Sequence, residues 1–173
     1  MYTHFEIDRI LDSMTVLVDT REQDTPAFRA RLDGLGRPFR RCKLDYGDYS
    51  CEITKPDGTV YSAVDKIAIE RKMNLDELCT CFTSGRKRFE REFIRAKQDG
   101  AKIYLLIENA TIDKAMDGVY RSHMKPDSLV ASILAWSARY NLMTCFCQQN
   151  NTGKLISKIM RYEIKAMLER GEI

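Results

Sequence analysis

Apolar positions along the chain alternate between strand-like and helix-like runs. "TVLVD" (Thr15–Asp19) is a continuous apolar run closed by an acid and reads as a buried strand. "TPAFRARLDGLG" reads as a helix, with Thr25 as N-cap, Pro26 in its first turn and Gly34 or Gly36 ending it. "PFRRCKLDYGDYSCEIT" is extended, with a break at Gly47. "KPDGT" is a turn whose Asp57-Gly58 suits a hairpin, and "VYSAVDKIAIERK" returns as a strand interrupted between Ser62 and Lys66. Asn74 then caps "LDELCTCF", whose first turn holds Asp76 and Glu77, where the helix dipole favours acids. "GRKRFEREFIRAKQDG" is a charged helix ending at Gly100, and "KIYLLIE" a buried strand. "KPDSLVASILAWSARY" is a helix with the stripe Leu129, Ile133, Trp136 and Tyr140. "LMTCFC" is a last strand. A closing helix carries Leu155, Ile156, Ile159, Met160, Ile164, Met167 and Leu168 on one broad face. Strands alternating with helices after a hairpin predict an α/β fold, a mixed sheet with helices packed on it.

The hairpin also brings charges together. With Asp57 and Gly58 as its central residues, Pro56 faces Thr59 and Asp48 faces Ile67, three residues short of Glu70. An irregular stretch between Ser62 and Lys66 closes that gap and sets Asp48 and Glu70 at one end of neighbouring strands. Glu70 and Lys72, two apart in a strand, share a face, and Arg71 points to the other. Two converging carboxylates repel unless a cation sits between them, and Mg²⁺ is bound in this way, with water and phosphate completing its shell. A neighbouring lysine stabilises charge on the phosphate. The competing reading makes Asp48 a turn residue after Gly47, and Glu70 and Lys72 a solvated strand end. Their position after the apolar "IAI", at the mouth of a core strand, favours metal-dependent phosphodiester hydrolysis.

Size and composition narrow the setting. A chain of 173 residues fits a single domain, with a core from about residue 14 to about residue 170. A net charge of +3 argues against a broad basic field and leaves room for local patches. The opening "MYTHFEIDRILDSM" carries acids and no apolar h-region, and no run reaches the length of a membrane span. The expectation is a cytoplasmic protein with no membrane association. The cysteine pairs at 79/81 and 145/147 lack the C-x-x-C spacing of a zinc knuckle, so reduced thiols are expected rather than zinc.

Four motifs in register resemble the XPF-family nuclease domain. "GDY" (Gly47–Tyr49) followed by "ERKMNLD" (Glu70–Asp76) is similar to that family's G-D…E-R-K-x-x-x-D signature. "VLVDTRE" resembles its V-D-x-R-E strand, "SGRKRFERE" its G-R helix start and "KIYLLIE" the strand after it. The resemblance spans nearly the whole chain and implies a restriction-endonuclease-like fold, a central mixed β-sheet flanked by α-helices. It implies Mg²⁺- or Mn²⁺-dependent cleavage of flaps, forks and other branched DNA in repair, recombination or replication. Carried over by position, it makes Asp48 and Glu70 the principal metal ligands, Lys72 the catalytic lysine and Asp19 a further carboxylate near the metal. Arg71 is counted with these catalytic residues, and Arg21, Glu22 and Asp76 become supporting residues. Taken without the family, Asp19 caps a turn as readily as it joins a site. Glu90 departs from the family, which often has an amide there. No segment resembles the helix-hairpin-helix or helicase modules that often accompany this domain.

Two basic stretches are candidate phosphate contacts: Arg86 and Lys87 at the start of the charged helix, and Arg40 and Arg41 ahead of Asp48. Intrahelical pairs of Glu92 with Arg88 and Arg95 compete for part of the first. The broad apolar face of the last helix exceeds what one sheet buries, and the family resemblance implies a homodimer through the C-terminal helices. A monomer with those faces in its core is the alternative. A junction resolvase or restriction-type nuclease on the same fold, or a non-catalytic DNA-binding subunit, are the other functional readings. The intact Asp48, Glu70, Arg71 and Lys72 argue against the last.

Overall fold

The structure, a computed structural model, describes residues 2–173. Helices α1 (His4–Asp12), α2 (Pro26–Asp33), α3 (Leu75–Phe82), α4 (Arg86–Asp99), α5 (Ile112–Met116), α6 (Pro126–Tyr140) and α7 (Thr152–Glu169) flank a mixed sheet. Its seven strands are β1 (Thr15–Asp19), β2 (Phe39–Cys42), β3 (Tyr49–Thr54), β4 (Val60–Ser62), β5 (Ile67–Lys72), β6 (Lys102–Glu108) and β7 (Leu142–Cys147). Its residues group into two compact units. One takes the residues up to Leu44 with Asp48–Ile67 and Asn150–Ile173, and the other takes Asp45–Gly47 with Ala68–Gln149.

In the first unit β2 runs parallel and β3 antiparallel to β1, and β4 pairs with β3. The β3–β4 register differs by one residue from the predicted one: Thr54 pairs with Val60 and Glu52 with Ser62. Pro56 decides this. Its fixed φ suits the second position of a turn, and Gly58 N–H closes that turn on Lys55 O at 2.9 Å. Gly58, at φ +84°, becomes the left-handed residue of a three-residue hairpin loop rather than the second residue of a two-residue one. The predicted interruption is present: β4 ends at Ser62 and Lys66 N–H returns to Ala63 O at 2.9 Å before β5 begins.

The pattern of apolar positions left two helices unpredicted. Thr3 and Glu6 cap α1 reciprocally, and α1 buries Ile7, Ile10 and Leu11. Thr111 caps the short α5. The first omission matters for α7. Its broad face, which the sequence left in surplus, packs on α1, α2 and β3, so Ile156, Met160, Ile164 and Leu168 are fully buried. α7 meets α2 at Gly153, where a Cβ would lie 2.2 Å from Arg31 O and 2.7 Å from the Gly34 carbonyl carbon. Only glycine permits that approach.

In the second unit β6 lies parallel to β7 and beside β5. The predicted stripe of α6 is buried throughout, and Trp136 is its centre. Phe82, Phe89, Phe93 and Tyr140 all place their rings within 5.0–5.6 Å of the indole. This aromatic cluster joins α3, α4 and α6 into one layer. No helix among the described residues is long and apolar enough to cross a membrane.

Candidate functional site

β1 delivers Asp19 to its C-terminal end with the carboxylate fully buried. Oδ1 accepts the Arg21 backbone N–H at 2.6 Å and Arg21 Nε at 2.8 Å. Oδ2 accepts the Leu44 N–H at 2.7 Å and Arg21 Nη2 at 3.2 Å. Four donors on two oxygens occupy the acceptor capacity of a carboxylate. Burial pushes the Asp19 carboxyl up, but the Arg21 side chain and the two backbone N–H groups outweigh it and hold the group below the usual aspartate range. Asp19 N–H in turn donates to Asp48 O at 2.9 Å, which fixes the Asp48 backbone one residue ahead of β3.

Glu22 belongs to the same network. Its Oε2 accepts Arg31 Nη1 at 3.0 Å and the Tyr49 hydroxyl at 2.9 Å, and Arg31 Nη1 lies 2.9 Å from that hydroxyl. Arg31 is only 5% exposed, so this is a buried ion pair, and burial raises the Tyr49 hydroxyl pKa. Arg41 donates to the carbonyls of Asp19, Thr20 and Glu22 and stands 5.2 Å above the Phe28 ring. Arg40 makes a two-pronged pair with Glu52, at 2.9 and 2.7 Å. Both arginines expected on a phosphate track thus brace the fold around β1.

β5 carries the other half of the motif. As the period of a strand predicts, Glu70 and Lys72 meet, Nζ lying 2.5 Å from Oε1 with both side chains buried. Lys72 Nζ is also 3.9 Å from Glu77 Oε1 and 4.9 Å from the centre of the Phe89 ring. Arg71, on the opposite face, pairs with Glu108 at the end of β6 at 3.0 Å. Gly47 presses on this strand: a Cβ there would come within 2.9 Å of Ala68 Cβ, and its φ of +71° suits glycine independently. Asn74 caps α3 by accepting the Glu77 N–H at 2.9 Å. Asp76, besides being a first-turn acid, accepts the backbone N–H groups of Arg121 and Ser122 at 2.7 and 2.8 Å.

Along α4, Arg86 and Lys87 are exposed, with the Arg86 guanidinium 5.5 Å from the Trp136 ring. Arg95 donates to Asp45 O at 2.8 Å. Glu90, the departure from the family pattern, accepts the Tyr140 hydroxyl at 2.5 Å and Arg139 Nη1 at 3.3 Å, a packing role. Sequence reasoning missed Arg31 and Glu108. A signal existed for both: Arg31 stands three residues after Phe28 on the buried side of α2, and Glu108, like Asp19, is an acid closing an apolar run.

Among the described residues no group of three or more His, Cys, Asp or Glu side chains forms a ready metal cluster, and none of the six cysteines is in a disulfide. The motif's donors suit a hard divalent ion by type, since Asp48 and Glu70 offer only carboxylate oxygens. Asp19 fits less well, because its oxygens already serve four donors.

The sequence matches the ERCC4 domain over residues 18–159. No curated protein matches it significantly. Two solved structures with similar folds are XPF from Aeropyrum pernix and the same protein in complex with DNA. Each has a TM-score of 0.61 and is 22% identical in sequence. The matches cover 86% and 88% of this chain but 61% and 66% of theirs, so the chain spans less than two thirds of either relative.

Proposed function

Because the chain belongs to the ERCC4 domain family, we propose that it is a metal-dependent endonuclease that hydrolyses phosphodiester bonds in branched DNA. The observation that carries this reading is the end of β5, where a buried carboxylate and a buried ammonium share one face and Arg71 is tied to Glu108 on the other. A lysine buried there is little screened by solvent, so its interaction with a phosphate brought beside it would be stronger than at an exposed site. The DNA complex of the Aeropyrum pernix relative supports nucleic acid as the substrate class.

Asp48 and Glu70 would hold Mg²⁺ or Mn²⁺, an assignment supported by the G-D…E-R-K-x-x-x-D order and by their oxygen donors. Such an ion, when bound, lowers the pKa of a coordinated water and polarises a phosphoryl oxygen. Lys72 would stabilise the charge that develops on the phosphate. Glu70 keeps that ammonium in place, and Phe89 supports it from the side. Asp19 enters the proposal as the group that fixes the Arg21–Glu22 turn and the Asp48 backbone, in place of the third-carboxylate role the resemblance implies. Exposed Arg86 and Lys87 would contact phosphates. A homodimer would have to use exposed positions such as Leu134 on α6 or Met143 on β7, since the apolar stripes of α6 and α7 are buried within the chain.

The test incubates the protein with flap, fork, four-way junction and linear duplex DNA, in Mg²⁺, Mn²⁺ or EDTA, alongside Asp48→Ala. Cleavage of branched substrates that needs both the ion and Asp48 is expected. Equal cutting of linear duplex would remove the branch selectivity, and undiminished cutting in EDTA the metal.

A further inference from the structure

The loop Gly118–Lys125 joins α5 to α6 without helix or strand, yet it is braced at several points. Asp76 Oδ1 accepts two successive backbone N–H groups, those of Arg121 and Ser122, and Oδ2 accepts Arg121 Nε at 3.4 Å. The Tyr120 hydroxyl donates to Met124 O at 2.8 Å, and Met124 N–H donates to Ser122 Oγ at 3.2 Å. Val119 N–H returns to Lys114 O at 2.9 Å. Surface loops are ordinarily loose. This one is held by a carboxylate that begins the helix directly after the Glu70-Arg71-Lys72 strand end.

What the loop presents is cationic. Residues 118–126, "GVYRSHMKP", contain the exposed cations Arg121 and Lys125 with the exposed His123 between them and no acid, and Asp117 and Asp127 flank the segment. The Arg121 side chain is 88% exposed, and Asp76 touches only its Nε end, which leaves the fork of the guanidinium turned to solvent. A guanidinium on a pre-ordered backbone loses little entropy on gripping an anion. We propose that the Gly118–Lys125 loop contacts the phosphodiester backbone of the DNA substrate, with Arg121 as the phosphate ligand. Asp76 is its positioning residue: it couples the loop to the E-R-K strand end and takes no metal. This inference rests on the nuclease reading above and adds to it a second contact surface, on a different segment from α4.

The test measures binding of a labelled DNA fork by anisotropy across a salt series, in EDTA so that no cleavage occurs. Wild type is compared with Arg121→Ala, Asp76→Ala, Asp76→Asn and Asp76→Ala/Arg121→Ala. Loss of one phosphate contact should weaken binding of Arg121→Ala about 5-fold or more at low salt and reduce the slope of log affinity against log salt by about one. Asp76→Ala should match it in both respects. Asp76→Asn, which keeps an acceptor for the two N–H groups, should restore most of the affinity, and the double variant should be no worse than Asp76→Ala. A merely structural role for Asp76 would not move the salt slope. Wild-type affinity and slope in Arg121→Ala would overturn the loop contact and leave the nuclease reading standing. Additive effects, or no rescue by Asn, would overturn the positioning role. A wild-type protein that binds no DNA would overturn the nuclease reading and this inference with it. Arg121 is exposed enough that its replacement leaves the fold intact, so it decides the loop contact even if Asp76→Ala unfolds.

Discussion

Each compact unit holds a buried carboxylate paired with a cation two residues on, Asp19 with Arg21 and Glu70 with Lys72, and the two pairs are built differently. Asp19 is held by two backbone N–H groups and by a guanidinium whose side chain is 54% exposed. Glu70 faces an ammonium as buried as itself. Backbone donors cannot leave without breaking the turn at Arg21 or the start of the loop at Leu44. A lysine is a point charge on a flexible stem and can shift its aim without disturbing the fold. The donors on Asp19 tie the first pair to the fold. In the proposed reaction the second pair would have to exchange partners beside a phosphate. The motif presents both as acid and base two apart, so only the identity of the donors separates them.

The strongest way to break this contrast is Lys72→Ala. If Lys72 serves the reaction, single-turnover cleavage of branched DNA should fall by about 10²-fold or more, the usual scale for removing one transition-state donor. DNA binding should stay within a few-fold of wild type, because the expected phosphate contacts lie on α4 and the α5–α6 loop. Equal cleavage rates in the two proteins would make the Glu70–Lys72 pair architecture as well. Arg31→Met sharpens the other side. It leaves Glu22 and the Tyr49 hydroxyl without their guanidinium beneath α2, and breaking a buried pair on one side costs about 3 kcal/mol. Denaturant unfolding should show that loss, while cleavage per folded molecule at low temperature changes much less than in Lys72→Ala. A variant as stable as wild type would show that the network carries no load.

Local chemistry made much of this legible. Thr25 and Asn74 announced their helices as caps, the Leu129–Tyr140 stripe announced the buried face of α6, and strand period alone set Glu70 and Lys72 together and Arg71 apart. What stayed hidden depended on partners distant in the chain. The Leu44 N–H on Asp19 is a backbone donor 25 residues away and leaves no mark in residue identity. The spacing of Arg31 from Phe28 marks its side of α2, but nothing in residue identity names Glu22 and Tyr49 as its partners. The closing helix looked over-apolar because α1, its cover, had gone unread. The hairpin slipped by one residue because two turn signals overlap, and the fixed φ of Pro56 took precedence over Asp57-Gly58.

The smallest expected effect is also the most direct test of what Arg21 does. Its side chain is more than half exposed, so solvent screens it, and at neutral pH Arg21→Ala should cost under about 1 kcal/mol. The difference should emerge in acid. A carboxyl held below its unfolded value of about 3.9 contributes stability that is fully present above that value and is lost as pH falls through the lower folded value. Burial already opposes the ionised form of Asp19. Removing the guanidinium leaves only the two backbone donors against it, so the folded pKa rises and proton uptake begins earlier. The acid unfolding midpoint of Arg21→Ala, followed by circular dichroism, should therefore move to higher pH, while Arg21→Lys, which keeps a charge but loses the fork, falls between. Coincident acid transitions for all three proteins would show that the backbone N–H groups alone hold Asp19 ionised, and the contrast with Glu70 would then rest on the backbone entirely.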